Sequence, residues 1–139
     1  MNIRTFRTSD QLSVIQLWTD CGLVKPQNNP GKDILRKLSI QPELFLVGCD
    51  PEGNIIASIM AGYEGHRGWI NYLAVHPSQQ RRGYARQLMQ DAEDRLMQLG
   101  CPKINLQIRD TNRDVIAFYR AIGYLQDPVI SLGKRLEHD

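Results

Sequence analysis

The residues with the clearest chemical potential form one run, Leu73-Ala-Val-His-Pro-Ser-Gln-Gln-Arg-Arg-Gly-Tyr-Ala85. Apolar residues of strand character stop at Pro77, a polar loop follows, and a helical pattern begins at or near Gly83. A helix N-terminus presents unpaired N–H groups and a partial positive charge, so it binds anions such as phosphate. Gly83 has no Cβ and lets the backbone approach a bulky anion; Ala85 is small to the same effect. Arg81 and Arg82 add charge that suits a pyrophosphate. The same run also reads as a surface loop with two solvated arginines. It is not a P-loop, because G-K-[ST] is absent, and it lacks the G-x-G-x-x-G of a dinucleotide site.

To hold this run the chain must supply a strand before it and a helix after it. Residues 1–7 read as a short strand. Ser9 or Asp10 suits the cap of a first helix with Leu12, Ile15 and Leu17–Trp18 on one face. Gly22, Pro26, Pro30 and Gly31 mark residues 20–31 as a loop. A short helix is expected from about Asp33 to Ser39, with Ile34, Leu35 and Leu38 inward. Leu44 to Cys49 has strand character, and Asp50-Pro-Glu-Gly53 is a turn in which Pro presets φ and Gly tolerates positive φ. Ile55 to Tyr63 and Trp69 to Val75, joined by the turn Glu64–Gly68, extend an antiparallel meander. The period then changes. Ala85, Leu88, Met89, Ala92, Leu96 and Leu99 make a helical stripe over Arg82 to Leu99, which Gly100 ends. Ile104, Leu106 and Ile108 alternate with Asn105, Gln107 and Arg109 as a strand. Asn112 or Asp114 caps a helix whose apolar residues run from Val115 to Ile122, and Gly123 stops it. Tyr124 to Leu136 fits one or two terminal strands. The order βααβββαβαβ(β) describes one mixed α/β domain over residues 1–139.

Composition narrows the classes. A chain of 139 residues suits one domain and buries roughly two-thirds of its unfolded surface. Hydrophobic residues at 42% and charged residues at 23% exclude a disordered or fibrous protein. Lys plus Arg is 17 and Asp plus Glu is 15, and the net charge of +2 is too small to argue for a nucleic-acid partner. Cys21, Cys49 and Cys101 are odd in number and far apart, which fits neither zinc spacing nor a disulfide framework. They read as inert thiols in a reducing compartment. The charged start of the chain does not read as a signal peptide, and Ile55–Tyr63 is far shorter than the ~20 residues of a membrane span. A cytoplasmic protein with no membrane and no metal is expected.

The chemical run, taken with its surroundings, carries a resemblance. Leu73-Ala-Val-His-Pro77 matches an L-x-V-x-P strand end and Gln80-Arg-Arg-Gly-Tyr-Ala85 matches a Q/R-x-x-G-x-G/A loop. Asn112, then Ala117-Phe-Tyr119, then Gly123-Tyr124 follow in order. Over essentially the whole chain these residues resemble the GNAT superfamily of acetyl-CoA-dependent N-acetyltransferases. Gly62–Gly68, Gly100–Ile104 and Ser131–Leu136 are similar to the bacterial YpeA-like branch, which leaves the acceptor open.

The resemblance implies a GNAT-like mixed β-sheet flanked by helices, with a splay between the fourth and fifth strands. It implies that the backbone of Leu73, Ala74 and Val75 bonds the pantetheine arm of acetyl-CoA. N–H groups of Gln80, Arg81, Arg82, Gly83, Tyr84 and Ala85 would hold the pyrophosphate. Asn112 would bond the pantetheine side, and Tyr119 would lie by the sulfur as general acid. Leu73–Ala74 N–H groups would polarise the thioester carbonyl, and Asn71 and Gln107 would bind the acceptor. By their own chemistry, Asn112 also reads as a helix cap, Tyr119 as a core aromatic beside Phe118, and Trp18 and Trp69 as packing residues.

The reaction implied is direct attack of a neutral amine on the thioester. The chain departs from the family at the usual general-base positions, where Trp69 and Gln107 stand in place of glutamate. Glu64, His66, or a water held by Asn71 or Tyr72 are the substitutes. The acceptor is a small-molecule amine or a protein or peptide amine, and the chain is a monomer or homodimer. A non-catalytic acyl-CoA-binding module is the alternative on the same fold. A nucleic-acid surface of Arg81, Arg82, Arg86 and Lys134–Arg135 is opposed by the near-neutral charge.

Overall fold

Two adjacent strands, Phe45–Cys49 (β2) and Ile55–Tyr63 (β3), are buried along nearly their whole length. Strands buried on both faces need helices above and below them. A computed structural model describes residues 1–139 and shows those helices. The chain forms two compact units, Met1–Leu106 and Gln107–Asp139. In the first, Asn2–Thr5 (β1), Gln11–Asp20 (α1) and Pro30–Leu38 (α2) precede β2 and β3. Gly68–Val75 (β4), Tyr84–Gln98 (α3) and Ile104–Leu106 (β5) follow them. The five strands lie in the order β1-β2-β3-β4-β5; all neighbours are antiparallel except the parallel pair β4–β5. The second unit contains Arg113–Ala121 (α4). The expected mixed α/β class is the one observed.

Phe45, Val47 and Met60 pack with Val14, Leu17 and Trp18 of α1 and Ile34 of α2. On the other face of β4, a Cβ placed on Gly68 would meet Leu96 of α3 at 3.2 Å, so α3 covers that side. Four sequence expectations are corrected in detail. The inward stripe of α1 is Val14, Leu17 and Trp18, whereas Leu12 is exposed; at about 100° per residue Leu12 falls far around the helix from Val14. In α2, Ile34 is buried but Leu35 is exposed, and in α3 Leu99 is exposed beyond the stripe. No strand forms in Tyr124–Leu136. Val129 N–H there donates to Asp127 O at 2.9 Å across Pro128, a turn built on a residue that cannot serve a ladder.

β4 contains an irregularity that shapes everything after it. Asn71 pairs with Met60 and Ala74 pairs with Ser58. Three steps on β4 therefore oppose two on β3, which is a β-bulge. Directly opposed residues of an antiparallel pair share a face. Ile70, opposite Ala61, lies on the α3 face, while Asn71, opposite Met60, and Ala74, opposite Ser58, lie on the α1–α2 face. The alternation along β4 thus changes parity across the bulge.

Tyr72 takes the irregular backbone, at φ 52°. A left-handed non-glycine residue costs of order 1–2 kcal/mol. The contacts that offset this cost are specific. Its ring stacks on Trp18 at a centroid distance of 3.8 Å, and its carbonyl accepts a 2.9 Å bond from Ser58 Oγ. Ser58 Oγ accepts in turn from Trp18 Nε1–H at 2.9 Å. A stack contributes about 0.5–1.5 kcal/mol and a hydrogen bond about 0.5–1.5 kcal/mol net, so the contacts are of the size needed to offset the strain.

Ser58→Ala would leave the buried Trp18 N–H and Tyr72 carbonyl without their partner, and is expected to destabilise by about 2–4 kcal/mol. Trp18→Phe combined with Ser58→Ala should cost clearly less than the two single changes added, since both remove the same hydrogen bond. Urea unfolding of the three variants measures this; strict additivity would show that the two groups are not coupled.

Candidate active site

β5 pairs with β4 only across Gly68–Ile70. From Asn71 to Val75 that edge of β4 has no strand beside it. This agrees with the splay expected between the fourth and fifth strands, and it leaves Leu73, Ala74 and Val75 without a strand partner on that edge, although Val75 O accepts from Cys21 Sγ at 3.4 Å. The bulge aims this segment, because it sets which face each of the three side chains takes. Ala74 is buried; Leu73 and Val75 are half-buried.

The chain passes directly from Val75 into the anion loop. His76 caps a short 3-10 turn, Pro77–Gln79, by accepting from Ser78 N–H. Gln80 Nε2 points back to Val75 O at 3.5 Å. Arg81 and Gly83 both have left-handed backbone, at φ 65° and 79°. Gly83 is the N-cap of α3 and provides no side-chain cap, so the first-turn N–H groups have no side-chain partner from that position. A Cβ built at Gly83 meets nothing within 4 Å. The space beside Gly83 is therefore open, and the uncapped helix start with two arginines fits a phosphate group. Arg81, Arg82 and Gly83 are exposed.

On the α1–α2 face of β4 lies a polar cluster that local sequence gave little sign of. Tyr72 hydroxyl donates to Asp33 Oδ2 at 2.6 Å, and Asn28 Nδ2 donates to the same hydroxyl at 2.7 Å. The bulge is thereby tied to α2 and to the loop before it. Asn71 is exposed on this face. Trp69, expected to pack, is 41% exposed; it stands opposite Gly62, which lies under Gln41 and the Lys37 ammonium of α2.

The substitute bases fare unequally. Glu64 carboxylate accepts the N–H groups of Arg67 and His66 at 2.5 and 2.6 Å. The Arg67 N–H above all holds its pKa below the usual carboxylate range. A carboxylate committed to closing its own turn is a weak proton acceptor. His66 is exposed in the same turn.

The remaining predicted residues belong to the second unit. Asn112 does cap α4, its Oδ1 accepting from Val115 N–H at 3.3 Å. Gln107 Nε2 donates to Ser131 Oγ. Tyr119 is buried and edge-on to Phe118 and Tyr124, at 5.1 and 5.5 Å. Burial pushes its phenol pKa far above the ordinary value, so it stays protonated.

The sequence model of the acetyltransferase (GNAT) family matches residues 12–124 and so runs through both units. An acetyltransferase of Sodalis glossinidius is 49% identical over 140 residues, spanning 100% of this chain and 98% of its own. An N-acetyltransferase of Yersinia pestis is 46% identical over 136 residues, spanning 98% and 96%. Among solved structures, Chaetomium thermophilum Naa20 in complex with a bisubstrate analogue is 27% identical with a TM-score of 0.71, over 88% of this chain and 70% of that one.

If the loop is the anion site, Gly83→Glu should lower CoA affinity by at least about 100-fold, through a side chain in the phosphate's path and added negative charge. Gly83→Asn, neutral and tolerant of left-handed backbone, shows how much of the loss comes from an added side chain without charge or backbone strain. Calorimetry with CoA decides; wild-type affinity in Gly83→Glu would remove the loop from the site.

Proposed function

The chain belongs to the acetyltransferase (GNAT) family, and from that premise we propose that it transfers an acetyl group from acetyl-CoA to a primary amine by direct attack. The observation that carries this reading is the open edge of β4 from Asn71 to Val75 running straight into a loop with left-handed Gly83. The edge offers an extended backbone for an amide-bearing arm, and the loop offers N–H groups and two arginines for phosphates. That a 27%-identical relative was captured with a bisubstrate analogue supports a site where donor and acceptor meet without a covalent enzyme intermediate.

In this reading Leu73, Ala74 and Val75 bind the pantetheine arm, and Gln80, Arg81, Arg82, Gly83, Tyr84 and Ala85 hold the pyrophosphate. Leu73–Ala74 N–H groups stabilise the oxygen that gains charge as the amine attacks. Asn112 contributes on the pantetheine side, with its cap role unaffected, since an amide also has N–H donors to offer. Asn71 and Gln107 serve the acceptor. Tyr119 acts on the sulfur. A phenol raised by burial is a reluctant acid toward a thiolate whose parent thiol titrates near ~8.5. Hydrogen-bond donation to the sulfur as it gains charge therefore fits better than full proton transfer. The three cysteines are free thiols, which supports a cytoplasmic setting, and no helix is long and apolar enough to cross a membrane.

Tyr119→Phe is expected to leave CoA affinity near wild type and to lower kcat roughly 10- to 150-fold, the worth of one hydrogen bond to a charged group. Steady-state kinetics following thiol release measures it; an unchanged kcat would leave Tyr119 a packing residue.

The acceptor follows from what the base positions lack. Neutralising a lysine at pKa ~10.4 costs about 3.5 kcal/mol more than neutralising an α-amine at ~7.8. Trp69 and Gln107 cannot take a proton, and Glu64 is held below its usual range. An α-amine or another low-pKa amine is the expected acceptor. kcat/KM should rise with pH along the acceptor's own titration. A screen in which lysine side chains react fastest, with a Glu64- or His66-dependent inflection between pH 6 and 8, would contradict this. CoA binding without turnover on any amine would instead favour a binding module.

A further inference from the structure

His76 is the last residue before the anion loop, and the reaction as described gives it no task. It is held from four directions. Its backbone N–H donates to Ile56 O at 2.8 Å, anchoring the strand end to β3. Its Nδ1 lies 3.2 Å from Ser78 N and 2.8 Å from Ser78 Oγ. Its Nε2 lies 3.2 Å from Asp20 Oδ2 at the end of α1. Asp20 is itself oriented by Gln16 Nε2, at 2.8 Å from its other oxygen.

These contacts assign the ring's proton. A backbone N–H only donates, so Nδ1 must be the acceptor; the ring hydrogen is then on Nε2 and donates to Asp20. The side chain links two elements. Through Nε2 it grips α1, and through Nδ1 it caps the first turn of the loop whose backbone is proposed to meet the pyrophosphate.

Resting on the cofactor reading above, we propose that His76 is a positioning residue for the phosphate loop, acting through the Nδ1–Ser78 cap. An uncapped turn samples more conformations, and a ligand that needs one of them must supply the ordering free energy. The effect falls on donor binding and not on the chemical step, because His76 touches the loop and not the reacting atoms.

Two substitutions separate the two nitrogens. In His76→Asn the amide oxygen takes the place of Nδ1 and can still accept from Ser78 N–H, but Asp20 is out of reach. In His76→Gln the amide nitrogen takes the place of Nε2 and can still donate to Asp20, but the cap is lost. Both positions are partly exposed, so both variants should fold, which far-UV circular dichroism verifies. CoA affinity by calorimetry is expected within about twofold of wild type for Asn and three- to tenfold weaker for Gln, the size of a lost cap. The KM for acetyl-CoA should move with it while kcat at saturation stays. Equal weakening in both variants, or wild-type affinity in His76→Gln, overturns the proposal. Gly83→Glu is run alongside. Loss of CoA binding there leaves the cofactor reading standing while the His76 pair decides the positioning role; CoA binding as in wild type would bring down the reading itself.

Discussion

Tyr72 holds its left-handed backbone because the Trp18 ring, the Ser58 hydroxyl, Asp33 and Asn28 converge on it. Those contacts fix the bulge, and the bulge fixes the rest of β4. One extra residue reverses the alternation, so Ala74 turns toward the α1 core although Ile70, an even number of residues earlier, faces α3. A regular strand would carry Tyr72 onto the α3 face, away from Trp18. It would also present a different set of backbone groups along the open edge. The strain is therefore spent where the strand leaves its partner, which is where strained backbone tends to serve a site.

The same constraint links the two sides of the proposed reaction. The Tyr72 hydroxyl is gripped by Asp33 of α2 and Asn28 of the preceding loop, while its backbone begins the segment proposed to hold the donor. A shift in that loop is thus mechanically connected to β4. Further on, His76 ties the strand's end to α1 through Asp20. On the α1–α2 side β4 is held at Tyr72 and at Val75, whose carbonyl accepts from Cys21 Sγ at 3.4 Å, and the chain just beyond it is held at His76. The chemistry then asks little of titrating side chains. Glu64 closes its hairpin, Trp69 and Gln107 have no acidic proton to exchange, and Tyr119 is kept protonated by burial. In the proposed reaction such a site would leave the acceptor's own pKa in control of the rate.

Much of this was legible in the residues. β3 has the bounds the sequence implies, because Asp50-Pro-Glu-Gly53 and Glu64–Gly68 punctuate it on both sides, and Gly53 does take positive φ, at 87°. Gly83 begins α3 and Gly100 lies just past its end as expected, both left-handed. The bulge was not legible, because it is a count of residues between two strands and not a property of either. The Trp18–Ser58 bond left a faint trace: a serine inside an apolar strand and a tryptophan whose N–H, once buried, must find a partner. His76–Asp20 spans 56 residues and left none. Trp69 misled, since aromatic residues usually pack, and here, opposite Gly62, it is left substantially exposed. The tail misled as well: Val129, Ile130 and Leu132 have strand character, but Pro128 turns the backbone just before them.

The central claim is that β4 beyond Asn71 and the loop to Ala85 form one continuous surface for acetyl-CoA. Amide hydrogen exchange of the whole protein, with and without CoA, tests it most directly. Protection should rise together in residues 73–75 and 80–85, and β1, which belongs to the far edge of the sheet, should be unchanged. Exchange that slows in only one of the two segments, or in neither while CoA is shown to be bound, would contradict the account.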